Sequence, residues 1–352
     1  MSILKDLLVI VLVGLIPWPA FADAGASGKA LDIYFIDTEG GAATLIVTPM
    51  GESVLVDAGN PGERDAGRIA RVAKEVAKLV QIDHMITTHW HIDHVGGVPH
   101  LGELIPIKKF LDSGVPDEPR PDIRPQDLEA YRKATGGKST VLKPGDEVPL
   151  RSDGESKAVK ILVVAAGGRV LGEEPVVGTR QEPPCAKKHE ARAIDKSDNA
   201  RSVAFVLSFG SFRFFDGGDL TWNIEHRLVC PKNLPGEVDV FQVNHHGLDQ
   251  SNNPALVEAL RPRIAIINNG PRKGGEPRTF ATLKAAKDLE AIFQLHRNIR
   301  TGEKDNSPPD FIANDEERCQ GEFIKLSVDP AGSAYTVAVP SKGTTRRYET
   351  RP

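Results

Sequence analysis

Cysteine is scarce in this chain: three residues, Cys185, Cys230 and Cys319, among 352. Three cysteines allow one disulfide with a thiol left over, so no disulfide framework holds the fold together. Cys185 and Cys319 sit in polar, loop-like stretches, whereas Cys230 precedes a proline and a strand; spacing does not choose the pair, but context favours Cys185 with Cys319. A strong charge of either sign is also missing. The formal net charge is −4 and the pI about 6.2, which denies the chain the electrostatic footprint of a nucleic-acid binder without excluding a nuclease whose basic surface is local. Internal repeats and low-complexity tracts are absent. Long apolar runs are confined to the N-terminus, where Leu7 to Trp18 follow Lys5 and lead into Pro-Ala-Phe-Ala. That is the pattern of a secretory signal over residues 1–22, with Ala20-Phe21-Ala22 as the recognition site. A dozen residues fall short of the roughly 20 that span a bilayer, and no cysteine near the cleavage point offers a lipid attachment. The expected product is soluble, with no stable membrane anchor, secreted or periplasmic, and starts at Asp23 or Ala24.

What remains, 23–352, reads as one hydrolase-sized domain with polar, Pro- and Gly-rich insertions near 113–156 and 167–198. Short apolar, β-branched runs separated by Gly/Pro turns predict an antiparallel meander over Ala30–Asp37, Ala43–Thr48 and Ser53–Asp57. Helical spacing follows from Gly62 to Leu79, then a strand at Ile82–Thr88. A helix is expected over Val95–Leu104 and another near Gln126–Ala134. Strands return at Val159–Ala165, Ser202–Phe209, Phe212–Phe215, Val238–Val243 and Arg263–Ile267. Helices are expected at Pro254–Leu260 and Phe280–Leu289, and a closing hairpin at Glu322–Val328 with Ala334–Val339. Two strand-rich halves with interspersed helices suit an α+β class, a four-layer αββα sandwich of two facing sheets with helices outside.

The chemistry is concentrated in His89-Trp90-His91-Ile92-Asp93-His94, directly after a strand and before Val95-Gly96-Gly97. Imidazole nitrogens and a carboxylate are the donors that zinc and its first-row neighbours take in catalytic sites. Four such groups in six residues would repel and desolvate one another in a packed interior unless a cation balanced them. Spacing divides them: His89 and His91 for one cation, Asp93 and His94 for a second. Further along, Asp219 lies on the Gly-bounded turn Asp216-Gly-Gly-Asp219, where an aspartate is more often a turn residue than a ligand and Asp216 is the local competitor. His245 and His246 follow an apolar strand and precede Gly247. One of the two is expected to bind metal and the other to hydrogen-bond nearby; spacing does not say which.

Together the hexapeptide, Val54-Leu-Val-Asp57-Ala-Gly and Gly218-Asp219 resemble the metallo-β-lactamase superfamily, over roughly Leu31 to Val339. Within it, Val243-Asn-His245-His246-Gly247 and Asp198-Asn199-Ala-Arg-Ser202-Val are similar to the branch containing the extracytoplasmic hydrolase domain of the DNA-uptake channel ComEC. The resemblance implies the αββα fold with metals at one edge between the sheets. It further implies that Asp219 bridges two metals and that Asp57 orients the ligand imidazoles rather than binding metal. The chain departs from the family where many members carry a third histidine for the first metal. The corresponding stretch, Ser197 to Ser202, has none, which leaves Asp198, Asn199 or a water to complete the His89/His91 side. His189 is nearby in sequence but lies in a polar insertion. One or two divalent ions are expected, zinc first, with manganese accommodated by an oxygen-richer site.

The function these features imply is hydrolysis by a metal-activated hydroxide, with Asp93 and Asp219 orienting the nucleophile and handling its proton. A phosphoester is the favoured substrate, nucleic acid included. The alternatives are a lactone or amide ring, against whose β-lactam form the absent third histidine argues, and a metal-containing binding protein without activity. Other polar residues read more plainly. His84 is structural, and His100 and His226 lack a partner pattern; Arg297 and Asn298 beside His296 could contact an anionic substrate, but that stretch reads first as a solvated loop. Arg272, Lys273 and Arg278, on Gly-rich backbone after a strand, could meet phosphate, although a basic surface loop is the plainer reading.

Overall fold

The N-terminal meander forms because each strand ends in a turn its own residues make. In a computed structural model describing residues 29–118, 120–152, 154, 158–173 and 189–351, β1 (Leu31–Phe35), β2 (Thr44–Val47) and β3 (Ser53–Val56) pair antiparallel. The 1–22 segment lies outside the described residues. Helix α1 (Glu63–Arg71) buries Ala66, Ile69 and Ala70 and carries the chain over to β4 (Ile82–Thr87), parallel to β3. Next come α2 (Ile92–Val95), α3 (Val98–Leu104) and β5 (Ile107–Asp112), again parallel. Helix α4 (Pro125–Thr135) starts on a proline and stops at Gly136, whose φ of 61° closes the last turn. β6 (Thr140–Val141) ends this half.

A second sheet is built from β7 (Lys160–Ala166), β8 (Arg169–Val170), β9 (Ala204–Phe209) and β10 (Phe212–Asp216). After α5 (Trp222–Val229), β11 (Val240–Gln242) pairs parallel to β10. Alternation continues with α6 (Pro254–Leu260), β12 (Ile264–Ile267), α7 (Pro277–Lys284), β13 (Ala291–His296) and β14 (Ile312–Asn314). The chain then returns to the first sheet through β15 (Ile324–Val328), β16 (Ala334–Val339) and β17 (Thr344–Glu349). Among the described residues the sheets run β17-β16-β15-β1-β2-β3-β4-β5-β6 and β14-β13-β12-β11-β10-β9-β7-β8.

Three apolar clusters mark the three interfaces of a four-layer αββα sandwich. One lies between the sheets and joins Phe35, Ile46 and Leu326 of the first to Phe205, Phe214 and Phe293 of the second. The others seat α1, α3 and α4 on the first sheet and α5, α6 and α7 on the second. Phe214 contacts Phe35 across the gap edge-to-face, with centroids 6.0 Å apart and planes at 67°, and Phe205 in its own sheet at 6.3 Å. No helix among the described residues is long and apolar enough to cross a membrane.

Three expectations need correction, and one element went unread. His296 is not in a solvated loop but fully buried at the end of β13; the internal Gln294 broke the apolar run and hid the strand. The 222–229 stretch is helical although unread, because the buried Glu225 and His226 interrupt its apolar face. Helix α7 begins at Pro277 and stops at Lys284, ahead of the expected Phe280–Leu289, because proline suits a first helical turn. The expected Cys185–Cys319 disulfide also fails: Cys319 is a free thiol and Cys230 is disulfide-bonded. Cys185 lies outside the described residues. His84 is structural, its Nε2 3.0 Å from Glu52 Oε1 in a buried pair.

Because Phe214 fills the gap between the sheets from a fully buried position, Phe214→Ala is expected to lower unfolding free energy by about 3–5 kcal/mol. Urea denaturation followed by far-ultraviolet circular dichroism measures this.

Candidate metal centre

β4 ends at Thr87, and the next two residues, Thr88 and His89, are fully buried. Asp57, just past β3 with a φ of 60°, fixes how the chain leaves β4. Its Oδ1 accepts from Thr88 N at 2.8 Å, and its Oδ2 accepts from Thr88 Oγ1 at 2.7 Å. The same Oδ2 lies 2.7 Å from His94 Nδ1. With Nδ1–H donated to a carboxylate, His94 presents Nε2 on the opposite side as a donor to a cation. The turn packs tightly: a Cβ on Gly97 would come 2.0 Å from Ala58 O, so no larger residue fits there.

His94 Nε2 faces His246 Nε2 at 3.2 Å and Asp219 Oδ2 at 3.2 Å, with Asp93 Oδ2 at 3.6 Å. His246 Nε2 in turn lies 3.3 Å from Asp93 Oδ2 and 3.4 Å from Asp219 Oδ2. These are five edges of a tetrahedron of donor atoms, and four N/O donors each ~2.0–2.1 Å from one ion would stand roughly 3.4 Å apart. Asp93, His94, Asp219 and His246 therefore fit a divalent ion.

Asp219 also reaches beyond this quartet. His245 Nε2 lies 3.4 Å from its Oδ2, and His89 Nε2 lies 3.8 Å away. His89 Nε2 is buried and has no hydrogen-bond partner, an orphan that a cation would satisfy. Asn199 Nδ2 approaches His245 Nε2 at 3.3 Å, and Asn199 Oδ1 is likewise buried and unpartnered. Consecutive side chains normally diverge. His245 and His246 both reach Asp219 because both backbones are left-handed, with φ of 53° and 54°.

His91 is not drawn into this convergence. Its ring lies 4.8 Å from that of His89, but its Nε2 is 2.9 Å from Asp122 Oδ2. Asp198 is committed elsewhere too: Oδ2 accepts from Trp90 N at 2.7 Å and Oδ1 from Arg120 Nη1. Asp122 Oδ2 also accepts from Asp198 N at 2.6 Å. Asp216 caps its own turn, accepting from Gly218 N at 2.9 Å. His189 stacks on His226 at 3.7 Å, and His100 pairs with Glu103.

Electrostatics match the geometry. Burial would raise Asp93 and Asp219, but the facing imidazoles, with Lys273 beside Asp93, hold both carboxyls well below the usual range. Burial works against a charge on His94, yet Asp219, Asp57 and Asp93 hold it well above an ordinary histidine. His89 is held well below by burial and by His94, and His245 is pushed down to about 4, chiefly by burial. A proton on His94 thus stands where the donors converge, in the role an ion would take.

Lys273, read from sequence as part of a surface loop, places Nζ on Asp93 Oδ2 and stays 40% exposed. Nothing in its Gly- and Pro-rich surroundings announces this. Arg272 and Arg278 do sit at the surface, paired with Glu317 and Glu190. Asp122, from the 113–156 insertion, is the other residue that spacing did not reveal.

Residues 36–173 match the family model described as the metallo-β-lactamase superfamily, which supports that superfamily; the fold is the metallo-β-lactamase fold. Over 66 residues the chain is 38% identical to an atrochrysone carboxyl ACP thioesterase of Aspergillus fumigatus, covering 19% of this chain and 20% of that protein. Over 77 residues it is 30% identical to Recombination protein 2 of Haemophilus influenzae, covering 22% of this chain and 9% of that protein. The chain thus spans a fifth or less of these two curated relatives. Among solved structures it is similar to Igni18, a metallo hydrolase from Ignicoccus hospitalis, with 11% identity, a TM-score of 0.40, and 75% of this chain and 94% of that one covered.

Because Asp57 holds His94 by its Nδ1–H, Asp57→Asn is expected to weaken metal binding by about 10–100-fold while the chain stays folded. Competition against a chromophoric chelator checks this.

Proposed function

We propose that this protein is a metal-dependent hydrolase of a phosphoester, resembling the ComEC-like branch of its superfamily. The observation that carries the reading is the convergence of Asp93, His94, Asp219 and His246 on one point. These four would hold one divalent ion, zinc first and manganese second. His89 and His245, which approach Asp219 from outside that quartet, would hold another with Asp219 shared. When bound, such an ion lowers the pKa of a coordinated water to about 7 and polarises the scissile bond.

The chain's own groups do the rest. Asp57 keeps His94 in the required tautomer, and Thr88 keeps Asp57 in place. Asp93, the one member of the quartet that is not fully buried, and Asp219 are assigned to orient the nucleophile through their carboxylates. Lys273, at the exposed rim on Asp93, would meet an anionic oxygen of the substrate. Its charge, with the stretch similar to Recombination protein 2, supports a phosphoester, nucleic acid included. The similarity to a thioesterase supports a second reading, hydrolysis of an acyl thioester by the same groups. The disulfide at Cys230 supports an oxidising, extracytoplasmic location.

Chelator treatment is expected to abolish hydrolysis of bis-p-nitrophenyl phosphate, and zinc or manganese to restore it. Turnover of nitrocefin or an acyl thioester, with none of the phosphodiester, would replace the substrate assignment; metal content without turnover of any of the three would leave a binding protein. His246→Ala is expected to lower kcat/KM by at least about a hundredfold. Metal counting by mass spectrometry should show His245→Ala retaining the quartet's ion and losing the other. Lys273→Ala is expected to raise KM severalfold with a smaller effect on kcat, measured by steady-state kinetics.

A further inference from the structure

A second convergence of donor atoms shares no residue with the hydrolase cluster and uses three residues that the chemistry above leaves idle. Asp37 follows β1 in the first sheet, His296 ends β13 in the second, and Cys319 sits in the segment between β14 and β15. Asp37 and His296 are fully buried; Cys319 is partly exposed and carries the free thiol. Cys319 Sγ lies 3.3 Å from His296 Nε2 and 3.3 Å from Asp37 Oδ2, and these last two atoms are 3.5 Å apart. Sulfur, nitrogen and oxygen thus form a nearly equilateral triangle.

That triangle discriminates between two uses of a cysteine, a histidine and an aspartate. In a nucleophilic relay the imidazole meets the thiol with one ring nitrogen and the carboxylate with the other. Here both crowd the same nitrogen, Nε2, and Nδ1 has no partner. One N–H cannot serve two acceptors well at these distances, so the relay is unsupported. A tetrahedral ion with Zn–S ~2.3 Å and Zn–N or Zn–O ~2.0–2.1 Å asks for donor separations of roughly 3.4–3.6 Å, close to those present.

The surroundings pre-set the donors. Asp37 Oδ1 accepts from Glu39 N at 2.9 Å, which turns Oδ2 toward the cluster. Arg68 donates to Asp37 Oδ2 at 3.1 Å, to Glu39 Oε1 at 2.9 Å and to Cys319 O at 3.2 Å, with Nη2 3.6 Å from the sulfur. Arg71 holds Gly321 O at 2.6 Å. The segment bearing the thiol is therefore fastened to α1, and the guanidinium offsets the negative charge of a carboxylate beside a thiolate.

We propose that Asp37, His296 and Cys319 form a separate mononuclear site for a zinc-class divalent cation, fastening the first sheet, the second sheet and the β14–β15 segment together. A thiolate, an imidazole and a carboxylate select a borderline-soft ion over magnesium or calcium. Three protein donors leave a fourth position for water, and an ion bound to groups from both sheets stabilises the folded chain.

Cobalt separates this site from the hydrolase cluster, whose donors include no sulfur. The full chain, disulfide intact, is stripped with a chelator and reloaded with Co2+. The wild type is expected to show a near-ultraviolet thiolate-to-cobalt charge-transfer band that is absent from Cys319→Ser, with phosphodiesterase activity unchanged in that variant. Zinc should slow alkylation of Cys319 at least about tenfold in the wild type, an effect lost in Asp37→Asn and in His296→Gln. Cys319 is partly exposed, so its variant stays informative even if the buried ones fail to fold. No band in the reloaded wild type, a band surviving in Cys319→Ser, or alkylation indifferent to zinc would each overturn the assignment.

Discussion

Asp219 Oδ2 lies within 3.2–3.8 Å of four imidazole nitrogens, those of His94, His245, His246 and His89. One carboxylate cannot satisfy four buried rings. Protonating all of them would crowd like charges in a low-dielectric interior, and leaving all neutral would strand unpaired nitrogens. Positive charge shared at the centre resolves the conflict. Without an ion, a proton held on His94 and the ammonium of Lys273 against Asp93 supply it. The rest of the fold is arranged so that these imidazoles and Asp219 stay together and buried, with Asp93 and Lys273 at the open rim.

That arrangement follows from strand direction. β3 and β4 are parallel, as are β10 and β11, so the residues just beyond each pair emerge at a common edge of their sheet. Asp57 follows β3 and His89 follows β4; Asp219 follows β10, and His245 with His246 follows β11. The facing of the two sheets through Phe35, Phe205 and Phe214 brings the two edges together. Ligand sites outside the carboxyl ends of parallel strands are the general expectation for α/β sheets. In this chain the same rule brings β13 and His296 to the Asp37–Cys319 cluster, with β1 and the β14–β15 segment supplying the other donors.

Strands with unbroken apolar character were legible in the sequence, and so was the His-rich turn, because histidine and aspartate at that density have few explanations. Helix α6 was legible to the residue, its proline and asparagine start being unambiguous. Two elements that escaped share a cause: buried polar residues inside regular structure. Gln294 in β13 and Glu225 in α5 are satisfied by partners distant in sequence, Ser307 N for one and the Asn252 and Asn253 amides for the other. Nothing local announces such a bond. Lys273 and Asp122 escaped similarly, since each acquires its role only when an insertion or a glycine-rich turn folds back onto the His-rich loop. The disulfide was misjudged because residue context reports polarity and not distance.

The absent third histidine becomes intelligible in three dimensions. Its stretch, Ser197 to Ser202, does reach the site, but it brings Asn199 against His245 and turns Asp198 away onto Trp90 and Arg120. His91, lacking a neighbour to share an ion with, is met by Asp122 instead. The deficit on this side is balanced by His245, an imidazole that sequence order places beside His246 and that backbone conformation turns toward Asp219. Two successive left-handed non-glycine residues are unfavourable by roughly 1–2 kcal/mol each. Glycine at either position would remove that strain and also remove a ring from Asp219. A turn that kept the strain only to cap a strand would have no use for two imidazoles, whereas a turn that must deliver both to one carboxylate has no unstrained alternative.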